Sequence, residues 1–317
     1  MGEEPVGQRW SIVLAGGSGT RLSGLTTVGA TTVPKQYCGF FGGPSLLRLA
    51  LRRATAVAPP ERTLVVVAEE HRSWWRRELA SLPARNVLVQ PRNRGTAVGV
   101  LLPLVEVLRR DAAALVAIFP ADHHVRREEA LAAAVRRSLA LAQTLPAYAV
   151  LVGVRPARPD GDLGWILPGG TAVGLDGARV AAFREKPPAA EAVRLMRSGG
   201  LVNTFILSAT ARGLHALCER HLPEVAAALG AREYEPLHRL YERLPTRDLS
   251  RDVLTRAPES LLVVTAAACG WSDLGTPQRV ARCLRAMPRE HRIGDFAPAF
   301  LDLARQLPNA AVKEISS

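Results

Sequence analysis

In the stretch SIVLAGGSGTRL, Ser11 to Leu22, an apolar run breaks into three glycines, Gly16, Gly17 and Gly19, and Arg21 follows. Glycines let a backbone approach a ligand closely, and successive N–H groups in a tight turn can face an anion. A guanidinium two residues on adds a planar fork suited to phosphate oxygens. The loop lacks the G-x-x-x-x-G-K-[ST] of a Walker A loop. It also misses the dinucleotide fingerprint, because the third glycine of G-x-G-x-x-G spacing would fall at Leu22. On its own residues the loop has two readings, a phosphate-holding turn and an ordinary strand-to-helix connection.

Further polar clusters follow apolar runs: QPRNRGTA after NVLVQ, and ADHH after LVAIFP. Short β-branched runs (WSIVLA, TLVVVA, NVLVQ, LVAIFP, YAVLVGV) alternate with helical patterns near 73–80, 96–109 and 127–143. That alternation predicts a three-layer α/β fold, a mostly parallel mixed sheet with helices on both faces. After Pro156 the pattern changes to strand-like GWILPG, ARVAAFREKP, VNTFIL and LLVVTAA. In open α/β sheets ligands bind beyond the carboxyl ends of strands, where these clusters lie, so one shared site is expected.

The chain has 317 residues, 48% of them apolar, enough for one large domain with a small appendage. Its apolar runs are strand-length, too short for a membrane span, and MGEEPVGQRW carries no apolar leader. Cys38, Cys218, Cys269 and Cys283 form no C-x-x-C pair and read as free thiols of a reducing cytoplasm. The net charge of +12 raises nucleic acid as a partner, but only 5% of residues are aromatic and the basic residues are scattered, often as arginine pairs in helical stretches. A solvated arginine-rich surface accounts for the charge. Lysine is rare, confined to Lys35, Lys186 and Lys313.

Taken in order, LAGGSGTRL, VPKQYC, QPRNRGTA, FPADHHV, FREKP, LVNTFIL and GWSDLGT resemble the motif set of the sugar-nucleotide pyrophosphorylases, most closely the bacterial mannose-1-phosphate guanylyltransferases. The likeness runs from about Ile12 to Thr276. It implies a Rossmann-like nucleotidyltransferase domain over 1–284, with a nucleotide half at about 8–150 and a sugar-phosphate half at about 151–284. A helical tail, 285–317, is expected from the weak pattern APAFLDLARQL. The implied reaction joins GTP and a sugar 1-phosphate, mannose 1-phosphate first, into a nucleotide sugar and pyrophosphate. Mg²⁺ is the implied cofactor.

The resemblance also assigns residues. Leu14 and Ala15 would touch the nucleotide, Gly16, Gly17, Ser18, Gly19 and Thr20 would wrap the triphosphate, and Arg21 would hold its β- and γ-phosphates. Lys35 would sit near the α-phosphate. Gln90, Arg94, Gly95 and Thr96 would lie toward the base, though Thr96 also suits a helix cap. Asp122 and Asp273, 151 positions apart, would carry the metal, Asp122 also touching the nucleotide. Glu185 and Asn203 would bond the sugar, Gly164 would admit it closely, and Lys186 would neutralise its phosphate. His123 and His124 lack a third ligand at zinc spacing and suit hydrogen bonding or packing.

Three departures from the family pattern, Trp165, the pair Val202 and Thr204 around Asn203, and Arg184, fall beside sugar-binding positions and leave the sugar open. Bifunctional relatives continue into a metal-binding isomerase domain, so no isomerase activity is expected here. The alternatives are another sugar phosphate or NTP, and a silent nucleotide-binding regulatory subunit. No membrane or nucleic acid partner is expected, and a homodimer is compatible with the sequence.

Overall fold

The computed structural model describes residues 7–28, 30–173, 177–231 and 235–286. The stretch APAFLDLARQL and the rest of the tail beyond 286 lie outside the described residues.

The strands are β1 (Arg9–Ala15), β2 (Thr27–Val28), β3 (Thr31–Thr32), β4 (Thr63–Ala68), β5 (Val87–Gln90), β6 (Leu115–Pro120), β7 (Ala149–Val154), β8 (Gly164–Val173), β9 (Gly177–Glu185), β10 (Leu201–Thr210) and β11 (Leu261–Ala266). Nine of them form one sheet in the order β5-β4-β1-β6-β10-β7-β11-β9-β8, and β2 and β3 pair apart. β5, β4, β1 and β6 run parallel. β10 then enters antiparallel between β6 and β7, β11 lies parallel to β7, and β9 and β8 close the edge antiparallel. The sheet is therefore mixed, its parallel character concentrated in the first half of the chain.

Every residue of β4 and β6 is buried, as expected of strands covered on both faces. Side chains alternate between two cores with period two. Ile12, Leu64 and Val116 face one core, and Val13, Val65 and Ala117 face the other. The helices Gly95–Arg110 and Ala211–His221 cover the first face, and Leu46–Thr55 and Glu128–Thr144 the second. Each fully buried aliphatic side chain contributes about 1.5–3 kcal/mol relative to exposure. The layers thus hold the carboxyl ends of β1, β6, β7 and β11 in fixed positions. The four cysteines are unpaired, and no helix among the described residues is long and apolar enough to cross a membrane.

Candidate active site

The glycine loop leaves β1 at Ala15 and is pinned from below. Gln36 donates through Nε2 to the carbonyls of Ala15 and Gly17, at 2.9 and 2.8 Å. Two of the loop's glycines sit in close contacts. A Cβ on Gly16 would sit 2.6 Å from Gln90 Nε2, and one on Gly19, where φ is +62°, would sit 2.8 Å from Lys35 Cβ. Arg21 is exposed at the mouth of the cleft, and its side chain has no hydrogen bond or ion pair among the described residues.

Asp122 follows β6 and Asp273 follows β11. A two-way backbone bridge joins their neighbourhoods: His124 N–H donates to Ser272 O, and Ser272 N–H to His124 O, both at 2.9 Å. Lys35 Nζ lies between the two aspartates. It pairs with Asp122 Oδ2 at 2.9 Å and donates to the Asp273 backbone carbonyl. Burial pushes the Asp122 carboxyl up, but the charges of Lys35 and His123 and the lysine hydrogen bond outweigh it and hold the group below its usual range. Asp273 Oδ2 accepts from Arg279 at 2.7 Å, whereas Oδ1 is buried without a partner. Arg279 is itself buried and also grips Asp160 Oδ1 at 2.7 Å.

An orphaned carboxylate oxygen beside a second carboxylate is a hard oxygen donor set. It fits Mg²⁺, which takes one or two carboxylates and fills its shell with water and substrate phosphates. Among the described residues no group of three His, Cys, Asp or Glu side chains surrounds a metal position. His123 stands edge-on to Trp271 at 5.3 Å, and His124 packs on Phe41 at 4.2 Å. Burial lowers both imidazoles, His124 to about 4.

The opposite wall comes from β8, β9 and β10. Gly164 pairs with Glu185, and its missing Cβ would lie 2.9 Å from Glu185 Oε2. Glu185 is raised by burial, with Lys186 opposing and Asp248 assisting. Lys186 has φ +48°, a left-handed backbone that costs a non-glycine residue energy, and its N–H donates to Leu163 O at 3.3 Å. Asn203 accepts from Phe205 N–H at 3.1 Å, where the β10 register shifts and Phe205 has φ +60°. The kink turns Asn203 and Phe205 into the cleft.

Between the walls lies a cavity of about 370 Å³, lined by residues from 14–123 and from 162–273. Leu14, Ala15, Gly16, Gly17, Arg21, Gln90, Gly95, Thr96, Asp122, Gly164, Glu185, Lys186, Asn203 and Asp273 all border it. Lys35 reaches it through Asp122. Arg94 differs from expectation. Its guanidinium donates to the carbonyls of Tyr241 and Glu242, at 2.7 and 2.9 Å, and serves as a strut outside the lining. Thr96 does not cap its own helix. Its hydroxyl donates to Asp248 at 3.1 Å and accepts from Leu249 N–H at 2.8 Å, tying the helix to Leu249–Asp252.

The three departures also differ from expectation. Trp165 is fully buried and donates to Asp160 O. Thr204 is buried and donates to Val152 O. Arg184 lies 3.4 Å from Glu191. None borders the cleft, because each is the strand neighbour of a lining residue and faces the other way. Sequence reading missed Gln36, Asp248, Tyr241 and Arg279. The Tyr241 hydroxyl donates to Gln90 Oε1 at 3.2 Å, which leaves the Gln90 amide NH₂ toward the loop. Only Gln36, inside PKQ, lay within a recognisable motif.

A strand-end glycine loop, two aspartates joined through a backbone bridge and a facing Glu–Lys–Asn wall meet at one cavity at the carboxyl ends of an α/β sheet. The chain belongs to the nucleotidyl transferase family, whose profile matches residues 10–288. It is 31% identical to a solved structure described as a mannose-1-phosphate geranyltransferase from Thermus thermophilus, with TM-score 0.79, 89% of this chain and 80% of that one covered. It is 30% identical to the xanthan biosynthesis protein XanB of Xanthomonas campestris over 84% of this chain and 57% of XanB. The mannose-1-phosphate guanylyltransferase ManC of Salmonella typhimurium is 29% identical over 84% of this chain and 58% of ManC. The chain thus spans a little over half the length of these two curated relatives.

Proposed function

We propose that this chain transfers a guanylyl group from GTP to mannose 1-phosphate, releasing GDP-mannose and pyrophosphate. The observation that supports this most is the meeting of the glycine loop, Lys35 and the two aspartates with Glu185, Lys186 and Asn203 across one cavity. A sugar-phosphate oxygen forms a bond to the α-phosphorus while the bond from that phosphorus to the bridging β-oxygen breaks. Positioning and charge neutralisation carry such a displacement.

The residues divide the work. Backbone N–H groups of Gly16 to Thr20 cradle the triphosphate, and Arg21 meets the leaving pyrophosphate. Lys35 moves its charge from Asp122 to the α-phosphate. Lys186 holds the sugar phosphate as a compact point charge, while Glu185 and Asn203 accept and donate to sugar hydroxyls. The free NH₂ of Gln90 suits an acceptor such as the guanine O6. Mg²⁺ held by Asp122 and Asp273 would neutralise phosphate charge. The domain halves and the cytoplasmic setting belong to the same proposal.

The test is pyrophosphate release across a panel of NTPs and sugar 1-phosphates, with and without Mg²⁺. GTP with mannose 1-phosphate should lead, and Asp122→Asn should lower kcat by about 10²-fold or more, the scale of a lost preorganised contact. Silence across the panel would favour a regulatory subunit, and another leading pair would reassign the substrate.

A further inference from the structure

Behind the wall formed by Trp271 and Asp273 lies a second cavity of about 560 Å³. It opens beyond the carboxyl ends of the parallel pair β7 and β11, at Val154 and Ala266, where sheets of this class receive ligands. Its volume lies in the range of small-molecule sites. Val154, Leu163, Val202, Ala266 and Trp271 give it an apolar floor.

Its rim carries Arg126, Arg137, Arg155, Arg158 and Arg282. The two carboxylates in the lining, Asp160 and Asp273, are each held by Arg279 at 2.7 Å. Arg126 and Arg137 donate to the carbonyls of Ala286 and Thr265. Arg158 is 3.8 Å from Asp160, the far limit of an ion pair. The side chains of Arg155 and Arg282 make no hydrogen bond or ion pair among the described residues. Burial first, then the charges of Arg158 and Arg279 against those of Cys283 and Asp160, draw Arg282 below the usual arginine range. An anion would relieve that repulsion, and guanidinium forks match phosphate oxygens in pairs.

We propose that this cavity is a ligand site separate from the reaction cleft, taking a small phosphate monoester. Arg155, Arg158 and Arg282 hold its dianion, and its apolar part rests on the floor beside Trp271. Leu163, Trp271 and Asp273 border both cavities, so an occupant touches the wall that carries the second aspartate.

Phenyl phosphate is the probe, with inorganic phosphate to separate the rim from the floor, and calorimetric titration of the full chain is the measurement. It needs no nucleotide, so its outcome does not depend on the proposed reaction. Lys186→Ala, which weakens the reaction cleft, should still bind phenyl phosphate. The pair Arg155→Ala/Arg282→Ala should bind it about tenfold or more weakly, the scale of lost charge-assisted hydrogen bonds. Both arginines are exposed, so the pair should melt as the parent does and turn over at the parent rate without the probe. Arg155→Gln/Arg282→Gln repeats the test with longer side chains retained. Inorganic phosphate should bind more weakly than phenyl phosphate. Unchanged binding in both arginine pairs would overturn the proposal. So would loss of binding in Lys186→Ala alone, which would put the phosphate in the reaction cleft.

Discussion

Replacing Lys35 by Met keeps the length of the side chain and removes its charge. In the parent, Lys35 is 5% exposed and its ammonium lies 2.9 Å from Asp122, whose side chain is 38% exposed. Breaking a fully buried pair costs about 3–5 kcal/mol. Water reaches Asp122, so screening reduces the expected loss to about 1–2 kcal/mol at neutral pH, or about 2–4 °C in Tm. The sign with pH separates this from general damage. In the parent the Asp122 carboxyl is held low, so it contributes stability above the unfolded value near 3.9, lost as pH falls through the folded one. In Lys35→Met burial remains and its main opponent is gone. The folded carboxyl should then rise, so the stability gained by ionising it shrinks or reverses as pH rises. The gap in Tm between parent and variant should open from pH 4 to pH 7. The assay is thermal melting of both proteins in chelator, without nucleotide. A gap constant over that range would refute the reasoning. On the proposed function, activity should fall by about 10²–10³-fold, because the ammonium would no longer reach the phosphates.

Gly164→Ala puts a Cβ 2.9 Å from Glu185 Oε2, so KM for the sugar phosphate should rise while KM for GTP stays within about twofold; steady-state kinetics in both substrates decides. Lys186→Arg preserves charge but widens the group on a backbone fixed at φ +48°, and a misplacement near 1 Å should cost about 10²-fold in kcat/KM for the sugar phosphate. Turnover within about twofold of the parent would show that the ammonium's shape is immaterial. His124 is buried with its imidazole lowered to about 4, so the neutral form is the stable one. Its share of stability is present above the unfolded value near 6.5 and is lost as pH falls toward 4, so His124→Gln should flatten the fall in Tm between pH 6.5 and 4.

Much of the fold can be read from β-branched runs such as TLVVVA and LVAIFP, because strands buried on both faces need continuous apolar residues. The insertion of β10 antiparallel between β6 and β7 is not legible, since LVNTFILSAT reads as a strand in either direction. Most motif residues mark the cleft because they stand near a strand end, in a turn or at a helix start, whereas Ser18, Gly19 and Arg94 do not border it. Arg279 and Asp248 escape notice because they act through tertiary contacts, the one on Asp273, the other on Thr96. Trp165 and Arg184 mislead for a legible reason. Each is one residue from a lining position, and period-two alternation sends it to the opposite face.

The bridge between His124 and Ser272 closes a loop of about 150 residues, and that sets when the protein can work. A nascent chain leaves the ribosome from its amino end, so β1, β4, β5 and β6 with the glycine loop emerge long before Ser272. Until β11 and the turn after it dock, Asp122 has no companion and Lys35 no second anchor. On the proposed function, a partly made chain can therefore possess the whole glycine loop and still be unable to consume a nucleotide. On that reading competence waits for the last strand of the sheet, and a nick between Trp271 and Asp273 should disarm an otherwise intact sheet.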